Sequence, residues 1–250
     1  MIKIIITAPK GNMGKLIVRA AAKNPMIKII GGLAPKGRDY IGLDIGIAAG
    51  LQNPLGVKVY DDLEEIIKEC DMIIDFSTVD CSMKLIDLTL KHNKAFICGT
   101  TGFDEEEVNI ITAAAKKIPL LKAANTSYVI NVMNKLLSQA AIDLKGMADI
   151  AIIEMHNANK KDAPSGTAKE MANIIEKAAE INDMISFHSI RAGDIPSSHT
   201  VMFGCMGERL EITHHAYNWE CYAEGACKAI EYLSTKGPGL YLMEDVVKDK

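Results

Sequence analysis

Short apolar runs alternate with helical stretches through the first half of the chain. Five runs rich in β-branched or other apolar residues are Ile2–Thr7, Ile27–Leu33, Met72–Phe76, Ala95–Cys98 and Pro119–Lys122. Candidate helices with 3.6-residue periodicity lie between them, near 13–23, 62–69, 80–92 and 104–117. A strand, a turn and a helix repeated in this order are typical of parallel βαβ units. The pattern therefore predicts an α/β fold built on a doubly wound parallel sheet.

A second α/β domain is predicted after Asn125, where the pattern changes. Two helical patterns, 131–144 and 167–179, lie on either side of the apolar strand Ile150–Met155. Strands with partial alternation and short connections follow near 185–191, 199–204 and 208–215. This arrangement predicts an antiparallel or mixed sheet with one covered face. A last helix near 220–234 ends at Gly237-Pro238-Gly239, and the tail beyond it could return to the first domain.

Composition narrows the possible partners. A net charge of −4 provides no basic field, so nucleic acid is not expected as a partner. The six cysteines show no zinc-binding spacing, and His214 and His215 alternate on a predicted strand, so reduced thiols and no metal are expected. The N-terminal apolar run covers five residues, too few for a signal peptide or a membrane span. We expect a cytoplasmic protein without a membrane partner.

The turn after the first strand has the position of a dinucleotide phosphate turn. It reads Ala8-Pro9-Lys10-Gly11-Asn12-Met13-Gly14, and only Gly11 and Gly14 match the G-x-G-x-x-G spacing. An ordinary strand-to-helix turn is the alternative. After the second strand, Ala34 stands where NAD sites keep a carboxylate, and Lys36 and Arg38 follow it. These cations, with Lys10, could hold a 2′-phosphate and favour NADPH, or they could be solvated surface residues.

Small and hydroxyl-bearing residues follow the later strands of the first domain. Ligands bind at the carboxyl ends of parallel strands, so backbone and side chains there could line the nicotinamide and its ribose. The residues are Phe76, Gly99, Thr100, Thr101, Ala123, Ala124, Asn125 and Thr126. As structure alone, the same residues make good turns.

The densest cluster of polar residues runs from Glu154 to Thr167. Thr167 and Glu170 have capping-box spacing, which would place Ser165, Gly166 and Thr167 at a helix N-terminus that favours a carboxylate. His156 and Lys160 precede them on what we expect to be a loop, as a proton donor and a fixed cation. We expect all three groups to converge on one cleft. Alone, the histidine would be structural and the lysine a surface residue.

The run from His156 to Ala168 contains K-x-D-A-P-S-G-T-A and resembles the signature of the 4-hydroxy-tetrahydrodipicolinate reductases. Further matches occur in family order along the whole chain, at Gly11–Gly14, Cys98–Phe103, Ala123–Asn125, Ile190–Ile195 and Gly207–His214. The resemblance implies a Rossmann-like dinucleotide-binding domain of residues 1–126 and 217–250. It also implies a substrate-binding and oligomerisation domain of residues 127–216 that builds a homotetramer.

The same resemblance implies a function for the candidate residues. The family reduces a cyclic imine dicarboxylate with NADPH or NADH, a step of the diaminopimelate route to lysine. His156 would match its proton donor and Lys160 its assisting cation, while Asn157, Ser165, Gly166 and Thr167 would contact substrate. The residues that would contact cofactor are Ala8, Lys10, Gly11, Asn12, Met13, Ala34, Lys36, Arg38, Phe76, Gly99, Thr100, Thr101, Ala123, Ala124, Asn125 and Thr126.

Four departures from the family pattern leave two alternatives open. The turn at Ala8-Pro9-Lys10 is poorer in glycine, and Ala34 replaces an acidic residue. Asn157 stands where a second histidine is usual, and Asn218-Trp219 replaces a Ser-Arg pair. The chain could therefore be a cofactor-impaired relative that binds a dicarboxylate without turnover. It could also reduce a different cyclic imine.

Overall fold

A computed structural model describes residues 1–182 and 185–248 and divides the chain into two compact units. Unit 1 comprises Met1–Tyr128 and Glu220–Lys250, and unit 2 comprises Val129–Trp219. Within the described residues, no helix combines the length and the hydropathy needed to cross a bilayer.

Unit 1 contains a parallel sheet of seven strands. They are β1 (Ile2–Thr7), β2 (Ile27–Leu33), β3 (Val59–Tyr60), β4 (Met72–Asp75), β5 (Ala95–Cys98), β6 (Pro119–Lys122) and β11 (Gly239–Tyr241). Their order across the sheet is β11-β6-β5-β4-β1-β2-β3. The chain winds outward in both directions from β1 and its neighbour, the central strand β4. The carboxyl ends of these two strands therefore flank the point where ligands bind such sheets. The predicted return of the tail is confirmed, because β11 pairs with β6.

Helices cover both faces of this sheet. They are α1 (Asn12–Lys23), α2 (Ile45–Ala48), α3 (Val79–His92), α4 (Glu105–Ala115), α7 (Glu220–Leu233) and α8 (Met243–Lys248). Successive side chains of a strand point to opposite faces. Accordingly, Ile4 and Ile6 pack with α1, α7 and α8, whereas Ile5 packs with α3 and α4. The doubly wound, Rossmann-like arrangement predicted for the first domain is confirmed.

Unit 2 is a two-layer α/β structure. Its elements are α5 (Tyr128–Asp143), β7 (Asp149–His156), α6 (Gly166–Ala179), β8 (Ser186–Arg191), β9 (Ser197–Cys205) and β10 (Glu208–Ala216). The strand order is β10-β9-β7-β8, with β7 and β8 parallel and the other pairs antiparallel. Ile152, Val201 and Phe203 pack against α5 and α6, so the mixed sheet is covered on that face as predicted.

Three predictions of local structure were wrong. The helix expected near 62–69 is instead two 3₁₀ turns, Leu63–Glu65 and Ile67–Glu69, because Ile66 leaves the helical region at φ −128°. His156 belongs to β7 rather than to a loop, since it continues the parallel pairing by lying opposite Arg191. The capping box at Thr167 does not form, because α6 already begins at Gly166 with Ser165 as its N-cap.

Candidate active site

His156 is the last residue of β7 and is 7% exposed. Glu154 lies two residues earlier on the same face of the strand and is fully buried. Its Oε2 atom is 2.5 Å from Nδ1 of His156. Because Nδ1 is engaged by the carboxylate, Nε2 is the ring atom that can exchange a proton with a ligand.

Arg191 of β8 forms a bidentate ion pair with Glu154. Its Nη1 and Nη2 atoms donate to the two carboxylate oxygens at 2.9 and 2.7 Å. Burial alone would raise the pKa of Glu154, but hydrogen bonds from Arg191, Ser189 and His156 outweigh it and hold the pKa well below its ordinary value. The carboxylate is therefore ionised and accepts the Nδ1 hydrogen of His156.

Two opposing effects set the proton affinity of His156. Burial lowers the pKa of its imidazole, and the neighbouring carboxylate of Glu154 raises it, with burial the larger effect. The positive charges of Lys160 and Arg191 lower the pKa further. The pKa of His156 consequently lies below its ordinary value.

A second buried histidine links His156 to the start of α6. The rings of His156 and His199 meet edge to face with 5.2 Å between their centroids. Nε2 of His199 lies 3.2 Å from Oγ of Ser165, and that oxygen accepts the amide hydrogen of Ala168 at 3.2 Å. Burial lowers the pKa of His199 to about 3, so this ring is neutral at physiological pH. His156 and the N-terminus of α6 thus belong to one cluster of contacting residues.

The loop between β7 and α6 carries Lys160, the cation predicted to face the substrate. Nζ of Lys160 lies 2.8 Å from Oδ1 of Asp162, and the carbonyl oxygen of Asp162 accepts a hydrogen bond from Nη2 of Arg191 at 2.6 Å. Asn157 uses its side-chain oxygen locally, accepting from the amide of Asn159 at 3.1 Å. His156 is therefore linked to Ser165 through His199, and to Lys160 through Glu154, Arg191 and Asp162, while Gly166 and Thr167 open the adjoining helix.

The glycine-poor turn of unit 1 nevertheless has the geometry of a close strand-to-helix turn. Ala8 adopts a left-handed conformation at φ 46°, and its carbonyl oxygen accepts from the amide of Gly11 at 2.8 Å. Gly11 is the N-cap of α1. A Cβ atom at Gly14 would lie 2.1 Å from the Ala8 oxygen, so only glycine permits this approach. The first-turn amides of α1, including those of Asn12 and Met13, lie at a helix N-terminus, a position that favours an anion.

The cations near this turn differ in their surroundings. Nζ of Lys10 pairs with Asp39 at 2.9 Å and lies 5.2 Å from the ring centre of Tyr40. Lys36 and Arg38 are exposed on the loop after β2. Ala34, by contrast, is buried and its amide donates to the carbonyl of Tyr60, so its side chain faces the core.

A fully buried carboxylate holds the carboxyl ends of β1, β4 and β5 together. Asp75 accepts hydrogen bonds from the hydroxyls of Thr7, Ser77, Ser82 and Thr100. The hydroxyl of Thr100 also accepts from the amide of Ser77, so it is engaged inside the protein.

Of the other residues expected to line the cofactor, some are buried inside the protein and others are exposed. The hydroxyl of Thr126 is hydrogen-bonded inside the protein, because it donates to the carbonyl of Tyr222. Ala123 is buried in the core, Thr101 and Ala124 are exposed, and Asn125 is half-buried. The ring of Phe76 occupies the space beside Gly99, where a Cβ atom would lie 2.1 Å from it.

Four residues of the site were not selected from the sequence. Glu154 could have been found, because it alternates with His156 on a predicted strand and therefore shares its face. Asp75 ends a buried strand, which is a weaker signal. Arg191 lies in the family match Ile190–Ile195 but was given no role, and His199 had no signal. The contacts of both depend on the register of β8 and β9 against β7.

Comparison with known proteins identifies the family. Models described as dihydrodipicolinate reductase, N-terminus, and dihydrodipicolinate reductase, C-terminus, match residues 2–126 and 129–247. The chain belongs to the dihydrodipicolinate reductase family. The 4-hydroxy-tetrahydrodipicolinate reductases of Hahella chejuensis and Geobacter metallireducens are 37% and 36% identical to it, with 99% of each chain covered. The resemblance stated from the sequence is confirmed.

A solved member of the dihydrodipicolinate reductase family has the same fold. It is the dipicolinate-bound dihydrodipicolinate reductase from Paenisporosarcina sp. TG-14, with a TM-score of 0.83 and 25% identity. The similarity covers 98% of this chain and 99% of that one. The two family models span the segments that contain the turn at Gly11–Gly14 and the Glu154–His156 pair.

Proposed function

We propose that the protein reduces 4-hydroxy-tetrahydrodipicolinate to tetrahydrodipicolinate with a nicotinamide cofactor, in the diaminopimelate route to lysine. The observation that carries this proposal is the buried Glu154–His156 pair, which contacts the N-terminus of α6 through His199. A proton donor beside an anion-binding helix terminus suits a dicarboxylate that accepts a hydride and then a proton. The relatives named above, one of them with dipicolinate bound, support this substrate class.

Each group in unit 2 has a role in this reaction. The amides of Gly166 and Thr167 and the ammonium of Lys160 hold the substrate carboxylates, with Asn157 and Ser165 at the margin of the site. The dihydronicotinamide, when bound, supplies the hydride to the unsaturated ring that forms as the hydroxyl leaves as water. His156 then delivers a proton from Nε2 to the carbanion-like ring carbon. Glu154 stabilises the imidazolium before the proton is delivered.

The turn of unit 1 fits a dinucleotide. Gly11 and Gly14 permit a tight backbone at the start of α1. A pyrophosphate would bind at this helix N-terminus, as in dinucleotide-binding folds. Backbone at Ala8, Asn12 and Met13 would hold the phosphates, while Phe76, Gly99, Thr101 and Ala124 would lie beside the nicotinamide ribose. The same turn argues against a cofactor-impaired relative, because its conformation is achieved despite Ala8 and Pro9.

The test of this function is a coupled assay in which the substrate, freshly made 4-hydroxy-tetrahydrodipicolinate, is offered with NADPH or NADH. We expect oxidation of the dihydronicotinamide that depends on that substrate. Dipicolinate should compete with it, as a planar dicarboxylate that cannot be reduced under these conditions. Turnover of another cyclic imine, with none of this substrate, would assign the protein to a different reductase reaction. Cofactor binding without any turnover would assign it a binding role.

We infer that NADPH is preferred over NADH. Lys36 and Arg38 are exposed after β2, and the carboxylate that would select a ribose hydroxyl is replaced by buried Ala34. The double variant Lys36→Ala/Arg38→Ala should raise KM for NADPH by about tenfold or more and leave KM for NADH nearly unchanged. Lys68→Ala, at an exposed lysine elsewhere in unit 1, is the control. An equal effect on both cofactors would contradict the preference.

We also propose a cytoplasmic homotetramer built through the sheet of unit 2. Both α5 and α6 pack on one face of this sheet. The opposite face carries Ile190, which is 42% exposed, and the half-buried Met155 and Met202. A sheet face of this kind is suited to a second sheet. The mass in solution, measured by light scattering, should be four times 27.2 kDa, and a monomer would exclude the assembly.

A further inference from the structure

We propose that Arg191 and Glu154 form a positioning pair that orients the proton donor His156 and ties it to the loop carrying Lys160. This inference rests on the proposed function of His156 and Lys160. Neither Arg191 nor Glu154 needs to touch the substrate for this role. Both act through the residues that do.

Glu154 determines which nitrogen of His156 meets the substrate. Its carboxylate is fully buried, is held ionised by Arg191, and can only accept hydrogen bonds. Nδ1 of His156, 2.5 Å away, must therefore carry a hydrogen and donate it. The ring is fixed in one tautomer and one orientation, which leaves Nε2 as the atom available to a ligand. A carboxylate behind an imidazole also favours the charged ring that an acid catalyst requires.

Arg191 connects this carboxylate to the loop. One guanidinium bonds both oxygens of Glu154, and its Nη2 atom also donates to the carbonyl of Asp162 at 2.6 Å. Nη1 donates in addition to its own strand at the carbonyl of Ile190. The side chain of Asp162 in turn pairs with Lys160. The planar guanidinium of Arg191 thus holds the Glu154 carboxylate on one side. On the other side it holds the backbone at Asp162, next to Lys160.

The geometry requires an arginine. Lysine has one nitrogen on a flexible stem and cannot span two carboxylate oxygens and a carbonyl at once. Among the described residues, the charged and titratable groups around His156 are Glu154 on β7, Arg191 on β8, His199 on β9 and Lys160 on the loop. His199 is neutral, and Lys160 and Arg191 both disfavour the imidazolium, so Glu154 supplies the negative charge that supports it. Removing that charge lowers the pKa of His156.

Two conservative variants test the pair. Glu154→Gln keeps the shape of the side chain and removes its charge, and kcat should fall by about tenfold or more near neutral pH with a small change in KM. An acid catalyst loses activity as pH rises through its pKa, so the alkaline limb of the pH profile should move to lower pH. Arg191→Lys should lower kcat by a similar factor and also raise KM for the dicarboxylate, because the loop of Lys160 loses its tie.

Glu180→Gln, at an exposed carboxylate of the same unit, is the matched control and should leave both parameters unchanged. The titration of His156, followed by NMR in the wild type and in Glu154→Gln, separates this inference from the proposed function. Its pKa should fall in the variant even if the wild type reduces no imine. An unchanged His156 titration, or a uniform loss of activity without a shift of the pH profile, would overturn the positioning role. An unchanged KM in Arg191→Lys would overturn the tie to the loop.

Discussion

Replacing His156 with alanine should lower kcat by about 10²- to 10⁴-fold, the range typical of a lost general acid. Glu154 keeps its bidentate partner Arg191 in this variant, so the buried charge stays paired and the fold should survive. Steady-state rates with saturating cofactor, together with circular dichroism, measure the two expectations. Wild-type turnover in His156→Ala would remove this residue from the mechanism and with it the proton-transfer step proposed above.

Lys160 and its neighbour Lys161 provide a matched comparison for the same site. Lys160 is half-buried and paired with Asp162, whereas Lys161 is exposed. Lys160→Ala should lower kcat/KM by at least about tenfold through loss of a carboxylate contact, and Lys161→Ala should change it little. Equal effects of the two substitutions would show that general charge on the loop, rather than one placed cation, attracts the substrate.

Gly14→Ala should abolish tight cofactor binding by unit 1. The added Cβ atom would lie 2.1 Å from the carbonyl oxygen of Ala8 and 2.8 Å from its carbonyl carbon, and both are backbone atoms that cannot rotate away. The turn and the start of α1 must separate, at a cost of about 1–3 kcal/mol in stability. Titration calorimetry with NADPH should show an affinity reduced by about 10²-fold or more, since the phosphates lose several aligned amides at once.

Gly237→Ala is the control for this substitution. No heavy atom of the described residues lies within 4 Å of a Cβ atom built at Gly237, which is exposed and has no positive φ. Its melting temperature and NADPH affinity should therefore equal those of the wild type. If Gly14→Ala also bound NADPH normally, the turn at Ala8–Gly14 would not be the phosphate site.

The limits of prediction from sequence are visible in particular elements. The strands β1 and β2 were predicted with their observed bounds, because long β-branched runs between turns have few alternative structures. The two-residue β3, the four-residue α2 and the three-residue β11 were missed, since elements of that length have no measurable period. The stretch 62–69 had helical spacing but lacked the continuous backbone geometry, which neighbours impose.

Part of the site can be predicted from the local sequence. The residue types His156, Lys160 and Ser165-Gly166-Thr167, their order, and the turn at Gly11–Gly14 follow from the sequence alone, because each depends on spacing within one strand, loop or helix end. The register of β8 and β9 against β7 is a property of the folded sheet. It brings Arg191 to Glu154 and His199 to His156. In unit 1, contacts with Asp75 and Tyr222 make Thr100 and Thr126 internal hydrogen-bond donors rather than exposed hydroxyls. Contacts between residues more than thirty positions apart arise from packing and strand pairing, which no local pattern encodes.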